Sequence, residues 1–414
     1  MRSTILAASA AAVLSVGLVA PVASAERPAD PAVVTTWNQV AADTIAKAGV
    51  PVQASALYFG FVSLATYDAV VTIEGGYEPY LRQPRAHRKA SSQIAAATAA
   101  YKTLRHYFPA SAADLDLAYD SSLATVPNGV GKTEGVKVGE RAAQALIDER
   151  AHDGRDAPIT LNVTPKPGVW RPTPPALAPM STPWLGFVDP LTLRSPKQIK
   201  VRGVYSIKSR AYAKDVEEVR AWGEKDESVR SAHQTETALF WSVSPVQQYQ
   251  AALRDRLKRH PFDIARSARA FAMLSSANAD ALIACWRTKY DDPFWRPVTA
   301  IREAVDPAKR DLDWEPLIAT PPYPEYASGH ACVSGSASEV FARLFGKRSL
   351  DLNISSTGPG TTITRHYDSA RALDKETMNA RVWLGIHFRW AMDDGNKLGH
   401  QIASWAMKRE FQRD

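Results

Sequence analysis

Residues 262–290, "FDIARSARAFAMLSSANADALIACWRTKY", contain neither Gly nor Pro and are dominated by Ala, Ser and apolar side chains. The stretch reads as one long helix or two consecutive ones. Its length decides the fold class, because strands of this length are rare and no alternating pattern runs through it. Working outward, other segments repeat the style. Residues 33–46 place Val33, Trp37, Val40, Ala41 and Ile45 near helical spacing. Residues 53–71 continue it with Leu57, Val62, Leu64, Tyr67 and Val70. Residues 91–109 form a strong helical pattern that Pro109 ends, and 136–154 another with Gly154 as its stop. Helical patterns resume over 210–224 and 233–258. The chain is therefore expected to be all-α and built from helical bundles.

Residues 157–200 break the pattern. They are rich in Pro, hold Trp170 and Trp184, and show no sustained period. So long a connection is expected to be functional or to wrap the surface. It separates an N-terminal helical half (26–156) from a C-terminal half (201–414) of one domain spanning 26–414. No internal repeat of fixed period is visible.

Hydrophobic residues make up 45% and charged ones 22% of 414 residues, which is a globular composition with enough apolar mass for a large core. The net charge of +7 and pI of about 9.2 are spread along the chain. Without a dense Lys/Arg stripe or a known binding module, no nucleic-acid partner is expected, whereas a small anionic ligand is compatible. Residues 1–25 carry Arg2, an apolar run from Ile5 to Val22 and the small-x-small sequence Ala23-Ser24-Ala25. They read as a secretory signal peptide cleaved near Ala25, so a secreted, extracellular protein is expected. No second apolar run of spanning length is seen, so no membrane anchor is expected. Two cysteines, Cys285 and Cys332, exclude a disulfide framework. Pairing with each other and two buried thiols both remain open.

Three short segments concentrate chemistry in the last third. "KYDDPFWRP" (289–297) sets Lys289 and Arg296-Pro297 in a K-x6-R-P pattern, with Pro293 breaking the helix between the two cations. "PPYPEYASGHACVSGSASEVFARLFG" (321–346) changes from Pro- and Tyr-rich chain to a run of small residues. Ser328 is placed to cap that second helix, and Gly329 permits close backbone approach. "ARVWLGIHFRW" (380–390) sets Arg381 five residues before His387, which falls in the turn after Gly385. Singly, each has an ordinary explanation: a solvated Lys/Arg face, a structural histidine, a plain helix cap. Together they supply three cations, a hydroxyl, a glycine N–H and two imidazoles. That set suits a tetrahedral oxyanion, since Arg forks bind its oxygens bidentately, Lys adds a point charge, and histidine can ligate or move a proton.

K-x6-R-P, S-G-H and R-x5-H in this order resemble the signature of the vanadium-dependent haloperoxidase / type-2 phosphatidic acid phosphatase superfamily. The long helical N-terminal region and "GVWRPTPP" (168–175) look like its larger secreted bacterial haloperoxidase-type members. The resemblance implies two related four-helix bundles. It implies that Lys289, Arg296, Arg381, Ser328 and the Gly329 N–H hold the oxygens of vanadate or phosphate. His387 would bond the vanadium, or act as the phosphorylated nucleophile in a phosphatase. His330 would be the acid–base residue. Trp286 and Tyr323 fall where the family shapes its halide region. The activity implied is oxidation of halide by hydrogen peroxide at fully oxidised vanadate, with an organic acceptor downstream. The alternative is phosphomonoester hydrolysis or transfer through a phosphohistidine, with no cofactor. Halide, organic substrate and oligomeric state are not legible.

The chain departs from the family at Ala327, where Pro is common, and at Ala380, where Ser is common. At Ala391, four after His387, many members carry Asp. If that Asp orients the ligating histidine, either Asp393 or Asp394 substitutes for it or the His387 ring is less fixed. Asp280 is a candidate partner for one of the arginines, unless it is simply an exposed helix residue. "NGVGKTEG" (128–135) lacks the spacing of a phosphate loop, no G-x-S-x-G surrounds Ser328, and His366 and His400 lack ligand spacing.

Overall fold

Most helices of this chain begin on a side chain that caps them. Ser91, Ser209, Ser231, Ser244, Asp263, Ser328 and Ser369 each accept a hydrogen bond from the backbone N–H three residues on. Each cap satisfies one of the donors a helix start leaves unpaired. The computed structural model describes residues 29–358 and 361–414. The expected signal peptide lies outside them. In order, the helices are α1 (Ala32–Lys47), α2 (Val52–Glu74), α3 (Ser92–Tyr107), α4 (Ala112–Ala124), α5 (Val130–Glu149), α6 (Arg210–Gly223) and α7 (Ala232–Phe240). They continue with α8 (Pro245–Arg259), α9 (Ile264–Asp291), α10 (Pro297–Arg302), α11 (Gly329–Phe345), α12 (Ala370–Trp383) and α13 (Arg389–Arg409). The strands described are β1 (Leu352–Gly358) and β2 (Thr361–Tyr367), an antiparallel hairpin with Leu352 opposite Tyr367. The fold is all-α, as expected, apart from this hairpin.

The differences from the sequence reading have local causes. The pattern over 233–258 is two helices, because Ser244 caps a new start and Pro245 sits at its first position, where a missing N–H costs nothing. Helix α4 was not foreseen; Leu115 is its one fully buried side chain, so its apolar period is faint. Helix α5 starts at Val130, after Gly129 at its N-cap, and absorbs "VGKTEG" into regular helix. Residues 262–290 form one helix, which stops before Pro293. The Pro-rich connection holds no α-helix, only a 3-10 turn at Pro183–Phe187.

Helix α2 corrects another expectation. It is 23 residues long and apolar enough to cross a membrane by length and composition. Here it is buried on nearly every side, packed against α3, α5 and α9. A helix that is hydrophobic all round belongs at a core centre as readily as in a bilayer. Helix α9 also packs against α11 and α13, so it joins the N-terminal helices to the C-terminal ones. Small residues allow the closest approach: a Cβ at Gly399 of α13 would collide with the carbonyl of Cys332 in α11.

Asp280 of α9 is fully buried and serves neither of the roles considered for it. Its carboxylate accepts from the backbone N–H groups of Leu191 (2.6 Å), Thr192 (2.8 Å) and Leu193 (3.0 Å), and from the Thr192 hydroxyl (2.6 Å). It thereby fastens the Pro-rich connection to the central helix.

His400 of α13 bridges Glu339 of α11 (3.1 Å) and Asp374 of α12 (2.9 Å). Burial alone would lower its pKa, but the hydrogen bonds to Asp374 and Glu339 outweigh this and raise it to about 9. A raised folded-state pKa contributes stability that is complete below the unfolded value near ~6.5 and fades as pH rises through about 9. His400→Gln is therefore expected to lower stability by about 1–2 kcal/mol at pH 6 and by much less above pH 9. Thermal melts of both proteins across that range check it; an equal difference at both ends would refute the ionic bridge.

Candidate active site

The three motifs meet because each lies at a helix end. Lys289 is in the last turn of α9 and Arg296 is the N-cap of α10. Ser328 caps α11, with Gly329 and His330 in its first turn. Arg381 is in the last turn of α12, and His387 lies between α12 and α13. The start of α11, at Gly329 and His330, offers backbone N–H groups that favour negative charge there.

The cations are buried and held by backbone carbonyls, not by carboxylates. Lys289 Nζ donates to Pro324 O (2.6 Å) and Glu325 O (3.0 Å). Arg296 donates from Nε to Tyr323 O (2.8 Å), from Nη1 to Ile386 O (2.7 Å) and from Nη2 to Pro321 O (3.3 Å). Arg381 Nη1 donates to Trp241 O (2.8 Å), while its buried Nε has no partner among the described residues. The Pro- and Tyr-rich segment thus positions the cations through its carbonyls, a role no side-chain pattern announces. The Tyr323 ring lies under Lys289 (5.0 Å) and Arg296 (4.8 Å) and leans on Trp286 at 4.9 Å. Gly329 is required there, since a Cβ would stand 2.9 Å from the Trp286 ring.

His387 is oriented by a residue the sequence reading missed. Glu325 Oε1 accepts from His387 Nδ1 at 2.9 Å and from Phe388 N at 2.8 Å. Because the Phe388 N–H donates to that same oxygen, Oε1 is an acceptor; with Glu325 ionised, Nδ1 carries the proton and Nε2 keeps its lone pair. Arg296 Nη1 lies 3.3 Å from that Nε2. Neither Asp393 nor Asp394 takes the part expected of it: Asp394 accepts from Arg202 (2.8 Å) and the Tyr326 hydroxyl (2.8 Å). An aspartate four residues after the histidine would come from α13; here the carboxylate comes from the segment before α11. The signal was present, because Glu325 is the one acid in the Pro/Tyr half of 321–346.

The electrostatics are those of a cradle short of negative charge. Burial, reinforced by Arg296, lowers Lys289 to about 8, with Cys285 and Glu325 opposing. Burial and Arg296 likewise lower Arg381 to about 10. Burial raises Glu325 to about 7 against the pull of Arg296 and Lys289. Burial first, then Arg296, Lys289, Arg381 and His330, holds His387 well below the ordinary histidine range, so it is a neutral imidazole. His330 is also held well down, by burial and by Arg381; its Nε2 lies 3.0 Å from Val243 O and its side chain is partly exposed. Three buried cations face one buried carboxylate already engaged with His387. With Arg381 Nε unpartnered, the donor set fits a tetrahedral oxyanion such as vanadate or phosphate.

Architecture and clustered motifs together resemble those of the vanadium-dependent haloperoxidase / type-2 phosphatidic acid phosphatase superfamily. The family described as "VCPO second helical-bundle domain" matches residues 269–413. The vanadium chloroperoxidase of Curvularia inaequalis is 28% identical over 222 residues, 39% of this chain and 36% of that protein. The match thus spans little more than a third of that relative's length. In solved structures, the fold is similar to that of the first bacterial vanadium-dependent iodoperoxidase, with a TM-score of 0.81, 23% identity, and 94% and 99% of the two chains covered. It is similar also to a holo-type bacterial vanadium-dependent chloroperoxidase, with a TM-score of 0.69, 18% identity, and 86% and 91% covered.

Proposed function

We propose that this protein is a vanadium-dependent haloperoxidase that oxidises halide with hydrogen peroxide and passes the oxidised halogen to an organic acceptor. The observation that carries the reading is a neutral, buried His387 among three buried cations held by backbone carbonyls, with Arg296 Nη1 3.3 Å from its Nε2. The names of the similar proteins, a chloroperoxidase and an iodoperoxidase, point the same way. His387 would be the metal ligand. Lys289, Arg296, Arg381, Ser328 and the Gly329 N–H would hold the oxyanion's oxygens. When bound, vanadate supplies a Lewis-acid centre that activates peroxide without changing oxidation state.

The chain's own residues then have defined tasks. Glu325 fixes the His387 ring and keeps its proton on Nδ1. Arg296 and Arg381 neutralise oxyanion charge from a dry site, where their attraction is strongest. His330, lowered in pKa and partly exposed, is placed to take a proton from an incoming peroxide and return it to a leaving oxygen. Lys289, lowered to about 8, donates to oxygen at the same site. Trp286 and Tyr323 form the aromatic wall beside Lys289, where a halide would approach. Residues 1–25 support export of the mature chain.

The test is direct. The purified chain, loaded with vanadate, is expected to brominate or iodinate a phenol reporter only when both peroxide and halide are present. Hydrolysis of p-nitrophenyl phosphate without any halogenation would replace this reading with the phosphatase one.

A further inference from the structure

Two buried groups take no part in that chemistry. Cys285 of α9 and Cys332 of α11 are fully buried, and both are free thiols. They lie close enough across the packed α9 and α11 for each thiol to shift the other's ionisation. Cys285 Sγ also donates to Ala327 O at 3.2 Å, at the residue just before the Ser328 cap. Cys285 stands four residues before Lys289, and Cys332 two after His330. The pair therefore bridges the helix that carries the lysine motif and the helix that carries Ser-Gly-His. Two buried thiols on helices packed against each other need less movement to join than a pair whose side chains point apart.

We propose that Cys285 and Cys332 are an oxidisable dithiol, closed by hydrogen peroxide into a disulfide that staples α9 to α11 directly beneath the site. The Cys285 sulfur attacks one peroxide oxygen; the O–O bond breaks, leaving a sulfenic acid and one water. The Cys332 sulfur then attacks the Cys285 sulfur; the S–O bond breaks, and the hydroxyl leaves with the Cys332 proton as a second water. Both sulfurs are oxidised by one electron each, and both peroxide oxygens are reduced. Cys285 is the attacking thiol: burial raises it, but Cys332 and Lys289 bring it below the ordinary thiol range, while burial and Cys285 raise Cys332. Closing the disulfide removes the thiol's hydrogen bond to Ala327 O, so the Ser328 cap loses a tether while the helices gain one.

The experiment uses vanadate-free protein, so its outcome does not depend on the haloperoxidase reading. Full-length chain is reduced, exposed to graded hydrogen peroxide, denatured and titrated for thiols, with peptide mass spectrometry beside it. The thiol titre is expected to fall from two to zero, with a linked Cys285–Cys332 peptide lighter by two hydrogens, and dithiothreitol is expected to restore both thiols. The oxidised form is expected to melt at higher temperature than the reduced form. In Cys332→Ser, Cys285 is expected to stop at a sulfenic acid that dimedone traps. Two free thiols after peroxide, or either cysteine carried to sulfinic or sulfonic acid without a linked peptide, would overturn the proposal.

Discussion

His387→Ala is expected to abolish vanadate binding and every vanadate-dependent activity, while Glu325→Gln lowers vanadate affinity or turnover about 10- to 100-fold. The two effects differ because the residues act at different removes. His387 offers a fully buried, neutral imidazole among three buried cations, whereas the other imidazole of the site, His330, is partly exposed and engaged with Val243 O. Glu325 acts through His387: Oε1 accepts from Nδ1 at 2.9 Å and shares that oxygen with Phe388 N. Glutamine keeps the volume and can still accept one proton. It removes the charge that makes the Nδ1–H tautomer the favoured one and that partly balances Lys289 and Arg296. A merely structural Glu325 would lower the yield of folded protein and leave the rate per folded site unchanged. Isothermal titration with vanadate, read with the circular dichroism of each variant, separates the cases. Undiminished affinity and turnover in folded Glu325→Gln would sink the orienting role, and activity surviving in His387→Ala would sink the site itself.

How much of this was legible in the sequence follows from how local each feature is. The helix cap at Ser328 and the stops at Pro109 and Pro293 are read within a few residues, and the helices stand where those signals put them. The cations and imidazoles of the three motifs were named in advance because their spacing is local, and the fold brings their helix ends together. What was not legible spans distance. Glu325 and His387 are 62 residues apart, and nothing in either neighbourhood specifies the other. The loss of Asp at Ala391 raised the need for a carboxylate, but nearness in sequence pointed to Asp393 and Asp394 instead. Those side chains belong to a different face of α13, where Asp394 meets Arg202 and Tyr326. Hairpin β1–β2 escaped for another reason. Its buried face shows Leu352, Ile354 and Ser356, too short an alternation to stand out in a helical chain. Carbonyl ligands to Lys289, Arg296 and Arg381 carry no residue signature at all.

Asp280→Ala is expected to cost about 3–6 kcal/mol, from two buried N–H donors and the half-buried N–H and hydroxyl of Thr192 left without an acceptor at about 1–3 kcal/mol each, partly offset by water. The carboxylate lies 89 residues from Leu191, so it holds a long-range join, not a local turn. Leu191 is itself wedged between helices: its side chain fills the space beside Gly60 of α2, and its carbonyl accepts from the Tyr80 hydroxyl at 2.7 Å. Releasing it loosens the contact between α2 and the Pro-rich connection. That connection reaches the active site, because Ser181 O accepts from Trp286 Nε1 at 3.1 Å and Ser181 N donates to Pro322 O at 2.8 Å. Loss of Asp280 should therefore expose residues 157–200 to protease and slow turnover, although no catalytic atom is touched. Asp280→Asn should behave almost as badly, since an amide has one acceptor oxygen and would turn two N–H donors toward others. Denaturant melts give the stability change, and limited proteolysis with mass mapping gives the site of opening. If Asp280→Ala melts like the wild type, or is first cut outside the Pro-rich connection, the segment is held by its own packing and not by the carboxylate.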